Sequence, residues 1–203
     1  MDKIVEYRGI RGLVGAEVLA DNGDEITFGT PFPIAGTSEL SKETDSSSEA
    51  HYYDNIPGVV IDSVGSDTIG VNVSAVPLSV ISKITGQKYD EATGTLIEGV
   101  AIAPYLAIGY ITDDTDGNEV FVWRMKGKFA RPGSTHATKD NGTGANGQTL
   151  NYTGISTTHK FVANDNKGAS GINCPSATCG KTESEFFAKV QTPDDIITAN
   201  AQG

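Results

Sequence analysis

Residues 104–130 constrain the fold more than any other stretch. "PYLAIGYIT" (104–112) reads as a buried strand, "DDTDGNE" (113–119) as an acidic turn, and "VFVWRMKGKFA" (120–130) as the strand that pairs back across it. Glycine points the same way. There are 24 glycines in 203 residues, about 12% against roughly 7% in ordinary proteins, and no collagen period. Many tight turns between short apolar runs predict a mainly β chain.

The remaining segments extend that reading. "GIRGLVGAEVLA" (9–20), the turn "DNGDE" and "ITFGTPFPI" (26–34) predict an N-terminal hairpin or short meander. "GVVIDSVGSDTIGVNVS" (58–74) predicts two strands around a Gly-Ser-Asp turn, and "YDEATGTLIEG" (89–99) a turn and a short strand. "QTLNYTGI" and "HKFVAND" read as further strands, and "ESEFFAKVQTP" closes the series. One helix is clear, in "VPLSVISKITG" (76–86): Pro77 occupies the first turn, Leu78, Ile81 and Thr85 share a face beside Ile84, and Gly86 stops it. The expectation is nine or ten strands and one helix in a single domain over 1–203, with Gly/Ser-rich loops at about 133–147 and 165–181.

Residues 35–55, "AGTSELSKETDSSSEAHYYDN", bury little. A mobile loop is one reading. The other is an interface arm, because Leu40, Ser41, Lys42 and Glu43 can extend as a strand and Tyr52 and Tyr53 bring aromatic surface to its far end.

Charge restricts the partners. With 26 acids and 15 bases the formal net charge is -11, a surface that repels nucleic-acid phosphates unless charge is segregated. The one basic island, Arg124, Lys126, Lys128 and Arg131, lies on the strand that also carries Phe121, Trp123 and Met125. Bases interleaved with aromatics can make a stacking platform for single strands, but here the two sets point mostly to opposite faces. Salt links within the sheet or to a neighbouring subunit fit better. No apolar run approaches the ~20 residues needed to span a bilayer. The N-terminal decapeptide lacks the pattern of a signal peptide, so folding in a cytoplasm is expected.

Catalytic and metal patterns are missing from the sequence. "GTGANG" (142–147) matches GxGxxG, but it runs into a strand, whereas a dinucleotide fingerprint needs a helix there. The pairs Asp113/Asp114 and Asp194/Asp195 read as turn residues rather than an acid–base dyad. Cys174 and Cys179 cannot make a tetrahedral site by themselves, and His51, His136 and His159 are scattered. The cysteines read as free thiols, with a small loop-closing disulfide as the rival. No catalytic residue, metal or cofactor is expected.

Four segments in order, "YYDNIPG", "GQKYDEATGTLIEG", "PYLAIGYIT" continuing to "DGNEVFVWRMKGKFARP", and "TKDNGTGANGQTLNYTGIST", resemble the major tail proteins of long-tailed phages and prophages of the phi13 type. The resemblance covers roughly residues 5–165, echoes weakly in "FFAKVQTP", and does not extend to the cysteine loop. It implies a tail-tube-like β-sandwich or barrel with one short packed α-helix and a long extended arm loop. It further implies hexameric rings stacked into a hollow virion tail tube, assembled in the host cytoplasm. The partners would be other copies of the chain and the tape measure, tail terminator and baseplate or hub proteins. DNA would pass through without specific binding, past an acidic lumen. The arm then falls at Gly36–Asn55 and reaches neighbouring subunits. Candidate interface residues are Leu40, Lys42, Glu43, Tyr52 and Tyr53 on the arm and Arg124, Lys126 and Lys128 on the basic strand. Two other classes compete: a monomeric β-sandwich module that binds carbohydrate or protein through Tyr52, Tyr53 or Trp123, and a small β-rich hydrolase using the scattered acids.

Overall fold

The computed structural model describes residues 4–53, 55–136 and 146–200. The N-terminal half holds strands β1 (Tyr7–Asp21), β2 (Ile26–Phe28), β3 (Phe32–Pro33), β4 (Thr37–Tyr53) and β5 (Ile56–Val73), then helix α1 (Leu78–Thr85), β6 (Lys88–Asp90) and β7 (Thr95–Ile97). The rest holds β8 (Leu106–Asp114), β9 (Glu119–Phe129), β10 (Gln148–Gly154) and β11 (Gly171–Pro175), followed by helices α2 (Glu183–Phe187) and α3 (Pro193–Asn200). The fold is mainly β: one sheet curls into a half-barrel, with a few short helices. Its strand order is β2-β1-β8-β9-β10-β5-β4, with β3 beside β1 and β11 beside β9, while β6 and β7 pair separately.

The predicted hairpin of residues 104–130 is the centre of the sheet. Asp114 organises its turn: its carboxylate accepts the backbone N–H groups of Asp116 (2.8 Å) and Asn118 (2.9 Å). The side-chain amide of Asn118, followed by these backbone bonds, holds the Asp114 carboxyl below its ordinary range. Beyond the turn, β9 is buried on both faces. Phe121, Trp123 and Met125 point one way, while Val122 lies on the opposite face with Tyr110 of β8.

Those faces define two core layers. The first joins Leu13 of β1 to Ile69, Val71 and Val73 of β5 and Leu150 of β10. Because it joins residues from strands well separated in the sheet order, this layer fills the inside of the curl. Helix α1 packs on it through Ile84. The helix ends as expected: Gly86 adopts φ 72°, where its amide reaches the Ser82 carbonyl, a conformation that costs a glycine little.

The second layer lies on the outer face, where Phe121 and Trp123 are covered by Phe186 and Phe187 of α2 and by Val190. Phe121 and Phe186 rings lie 5.3 Å apart, and the buried indole N–H donates to the Phe186 carbonyl (3.3 Å). Fully burying one such aromatic contributes about 1.5–3 kcal/mol. Gly109 on β8 is fixed by this packing, since a Cβ there would sit 2.9 Å from both Trp123 and Phe187.

Several sequence expectations change. "ESEFFAKVQTP" contains helix α2 rather than a strand: Thr182 caps it, with the Glu185 carboxylate accepting in return from the Thr182 amide. The two strands expected in residues 58–74 are one 18-residue strand, Ile56–Val73. "HKFVAND" holds only a bridge at Phe161 and a 3-10 turn over Val162–Asn164, and the 165–181 loop contains β11. The cysteines are joined, Cys174 to Cys179 with Cα atoms 5.4 Å apart, so the loop-closing disulfide replaces the free-thiol reading. Most of the GxGxxG match, including Gly142 and Gly144, lies outside the described residues.

Candidate functional site

The segment expected to be an arm forms strand β4, the outer strand of a hairpin with β5. β4 and β5 pair along their whole length, but β10 meets β5 only over Asp67–Val73. The outer part, residues 45–53 and 56–66, therefore stands as a two-stranded ribbon with no third strand among the described residues. The boundary is marked in the pairing, which slips between Thr44 and Ser46.

Asp67 pins the root of this ribbon. Its nearly buried carboxylate meets Lys42 Nζ at 2.8 Å and accepts from Thr44 Oγ1 at 2.7 Å. Burial works to raise the Asp67 pKa, but these two hydrogen bonds and the Lys42 and Arg124 charges outweigh it, so the group titrates below its ordinary range.

Past the root, β4 and β5 differ in chemistry. The β4 side supplies Ser46, Ser47, Ser48 and Glu49, whereas β5 supplies Val59, Val60, Ile61 and Val64, each at least half exposed. The pairs Ala50–Val60 and Ser46–Val64 lie on one face, with Glu49–Ile61 and His51–Val59 on the other. Apolar side chains thus project from both faces beside an unpaired strand edge. An isolated two-stranded ribbon is marginal in water, and exposed apolar edges of this kind mark sites of association.

The expected interface residues separate into groups. Glu43, Tyr52 and Tyr53 are exposed, the tyrosines by about two-thirds. As neighbours on one strand they face opposite ways, so they cannot form a single stacking platform. Leu40 instead packs against the inner core layer, and Lys42 holds the arm root. On the basic strand, Lys126 reaches Asp21 at 2.5 Å, while Lys126 and Lys128 both lie over the Tyr105 ring. Arg131 donates to the Gly99 carbonyl. Arg124 lines the groove between the start of β1 and the root of β4, and Arg131 a separate one beside α1.

The remaining candidates have structural partners. Trp123 is fully buried, which removes it as a binding platform. Asp194 accepts the Ala163 amide (2.7 Å), and Asp195 accepts Lys189 Nζ (2.8 Å) and the Thr192 amide (3.0 Å). Among the described residues no group of three or more His, Cys, Asp or Glu side chains is placed to hold a metal, and no helix is long and apolar enough to cross a membrane. What sequence reasoning missed was the apolar half of the arm. Its signal was length, because a 17-residue polar strand needs a partner equally long.

The sequence matches no protein-family model and no curated protein.

Proposed function

We propose that the chain is a non-catalytic assembly subunit whose projecting arm makes protein–protein contacts, and that the assembly is a tail tube of stacked rings. The observation that carries this reading is the β4–β5 ribbon, which leaves Val59, Val60, Ile61 and Val64 in water although the body beneath it has two packed core layers. Burying those side chains against a partner is the most direct way to stabilise the ribbon. The step from assembly subunit to tail tube rests on the resemblance of the ordered segments, and the acidic composition suits a conduit that must not hold DNA.

A second reading is a monomeric module that docks its arm on a different protein. It is favoured by the two core layers that pack within one chain, and it accords with the absence of any family match. Sedimentation of the wild-type chain and of a variant with residues 44–65 replaced by a two-residue turn tests the choice. Concentration-dependent association that disappears in the shortened variant supports the assembly subunit. A wild-type chain that remains monomeric while its arm captures another protein supports the second reading.

A further inference from the structure

A groove of about 850 Å³ lies between the start of β1 and the root of β4. Ile10, Leu40, Tyr110 and Val122 supply its apolar walls, and Arg8, Lys42 and Arg124 its cations. Arg124 Nη2 donates to two neutral acceptors, Tyr110 Oη at 3.4 Å and Asn173 Oδ1 at 3.2 Å, while its buried Nε has no partner. Asp67 feels the Arg124 charge but is hydrogen-bonded by Lys42 and Thr44. Arg8 makes no ion pair among the described residues. The acid that lines the groove, Glu39, accepts from the Asn72 side-chain amide at 2.8 Å. Arg8, Lys42 and Arg124 thus line the groove with one acid, Glu39, and even with Asp67 behind Lys42 counted the bases are in surplus, in a chain of net charge -11.

The arm has the complementary chemistry. Residues 43–66 contain Glu43, Asp45, Glu49, Asp54 and Asp62 and no lysine or arginine. Its β5 side adds the exposed valines and isoleucine that an apolar groove wall requires. Each strand runs on for about 33 Å beyond the root, at ~3.3 Å per residue. Because the root, Ser38–Lys42, is itself a wall of the groove, a ribbon extending away from it cannot bring its outer end back. A second copy's arm can. Such a contact is heterologous, arm of one copy to groove of the next, so it propagates into a closed ring or an open stack.

We propose that this groove receives the outer end of the arm of a second copy of the chain, with Arg8 and Arg124 meeting arm carboxylates and the apolar wall meeting arm side chains. Opposite charges at that point also offset the repulsion between two acidic subunits. The proposal rests on the assembly reading above and assigns the surface that the arm contacts.

The test places the photo-crosslinker benzoylphenylalanine at Tyr53 of the full-length chain and irradiates an equal mixture of 15N-labelled and unlabelled protein. Mass spectrometry should find isotopically mixed crosslinks to peptides containing residues 7–10, 38–42 or 120–124. The double variant Arg8→Gln/Arg124→Gln should lower their yield at least tenfold. Arg8→Gln alone removes a side chain with no ion pair within the chain, and should still lower the yield several-fold with the melting temperature unchanged. Mixed crosslinks to another surface overturn the groove assignment and leave the assembly reading standing. No intermolecular crosslink at any concentration overturns both.

Discussion

Replacing Asp21 with alanine should destabilise the chain by about 3–5 kcal/mol, the range for removing one partner of a buried ion pair. The Asp21 side chain is 3% exposed and that of Lys126 12%. Its two oxygens accept Lys126 Nζ at 2.5 Å, the Thr158 amide at 2.9 Å and the His159 amide at 2.8 Å. The substitution therefore leaves an ammonium largely dry and two backbone donors unsatisfied, and it unties the 157–161 segment from the end of β1. Lys126 can relax by sliding its stem along Tyr105, which places the expected loss at the lower end of the range. Asp21→Asn retains an acceptor but no charge and should lose about 2 kcal/mol, in line with a hydrogen bond to a charged group.

Acid should erase that second difference. Burial pushes the Asp21 pKa up, but the Lys126 hydrogen bond, the Thr158 and His159 amides and the Lys126 charge together bring it below the ordinary value. A carboxylate depressed in the folded state stabilises fully above its unfolded pKa of about 3.9, and loses that contribution as pH falls through the folded value. Urea unfolding of wild type and Asp21→Asn at pH 7, and again near pH 3, should show a gap that narrows in acid. An Asp21→Ala loss below about 1 kcal/mol at pH 7, or an Asp21→Asn gap independent of pH, would refute the reasoning.

Phe186→Ala should cost about 3–5 kcal/mol by urea denaturation, with the Trp123 emission moving to the red as its cover is lost. At Gly109, an alanine Cβ would meet Trp123 and Phe187 at 2.9 Å, so Gly109→Ala should destabilise by about 1–3 kcal/mol through overpacking, read as a lower denaturant midpoint. Reducing Cys174–Cys179, which closes a loop of sequence separation 5, should cost about 2 kcal/mol by the chain-entropy relation, measured as a melting-temperature drop in reductant. Replacing residues 44–65 by a short turn should lower monomer stability by about 1–3 kcal/mol at most, because the segment adds little to either core layer but carries the Thr44–Asp67 hydrogen bond; calorimetry checks this.

The parts of the fold legible in the sequence were those governed by local pattern. The 104–130 hairpin shows its period and its turn, and α1 shows a proline start and a glycine stop. α2 was hidden because "ESEFFAKVQTP" is short and rich in residues that also suit strands, although Thr182 and Glu185 already spelled a capping box. β5 looked like two strands because Gly65 and Ser66 resemble a turn; in the structure they lie where the body strand becomes the arm. Long-range pairings left no local trace at all. Nothing near Asp21 announces Lys126 or the amides of Thr158 and His159, and nothing near Arg124 announces Arg8. The basic island was visible as composition, but its division between internal partners and a groove depended on which strands β9 meets.

Negative-stain electron microscopy of the purified chain across a concentration series, with the arm-shortened variant beside it, tests the central claim most directly. Rings or hollow tubes of uniform width are expected from the wild type and none from the variant. A wild-type chain that stays a discrete monomer at every concentration, with residues 44–65 protected from protease in that monomer, would contradict that claim.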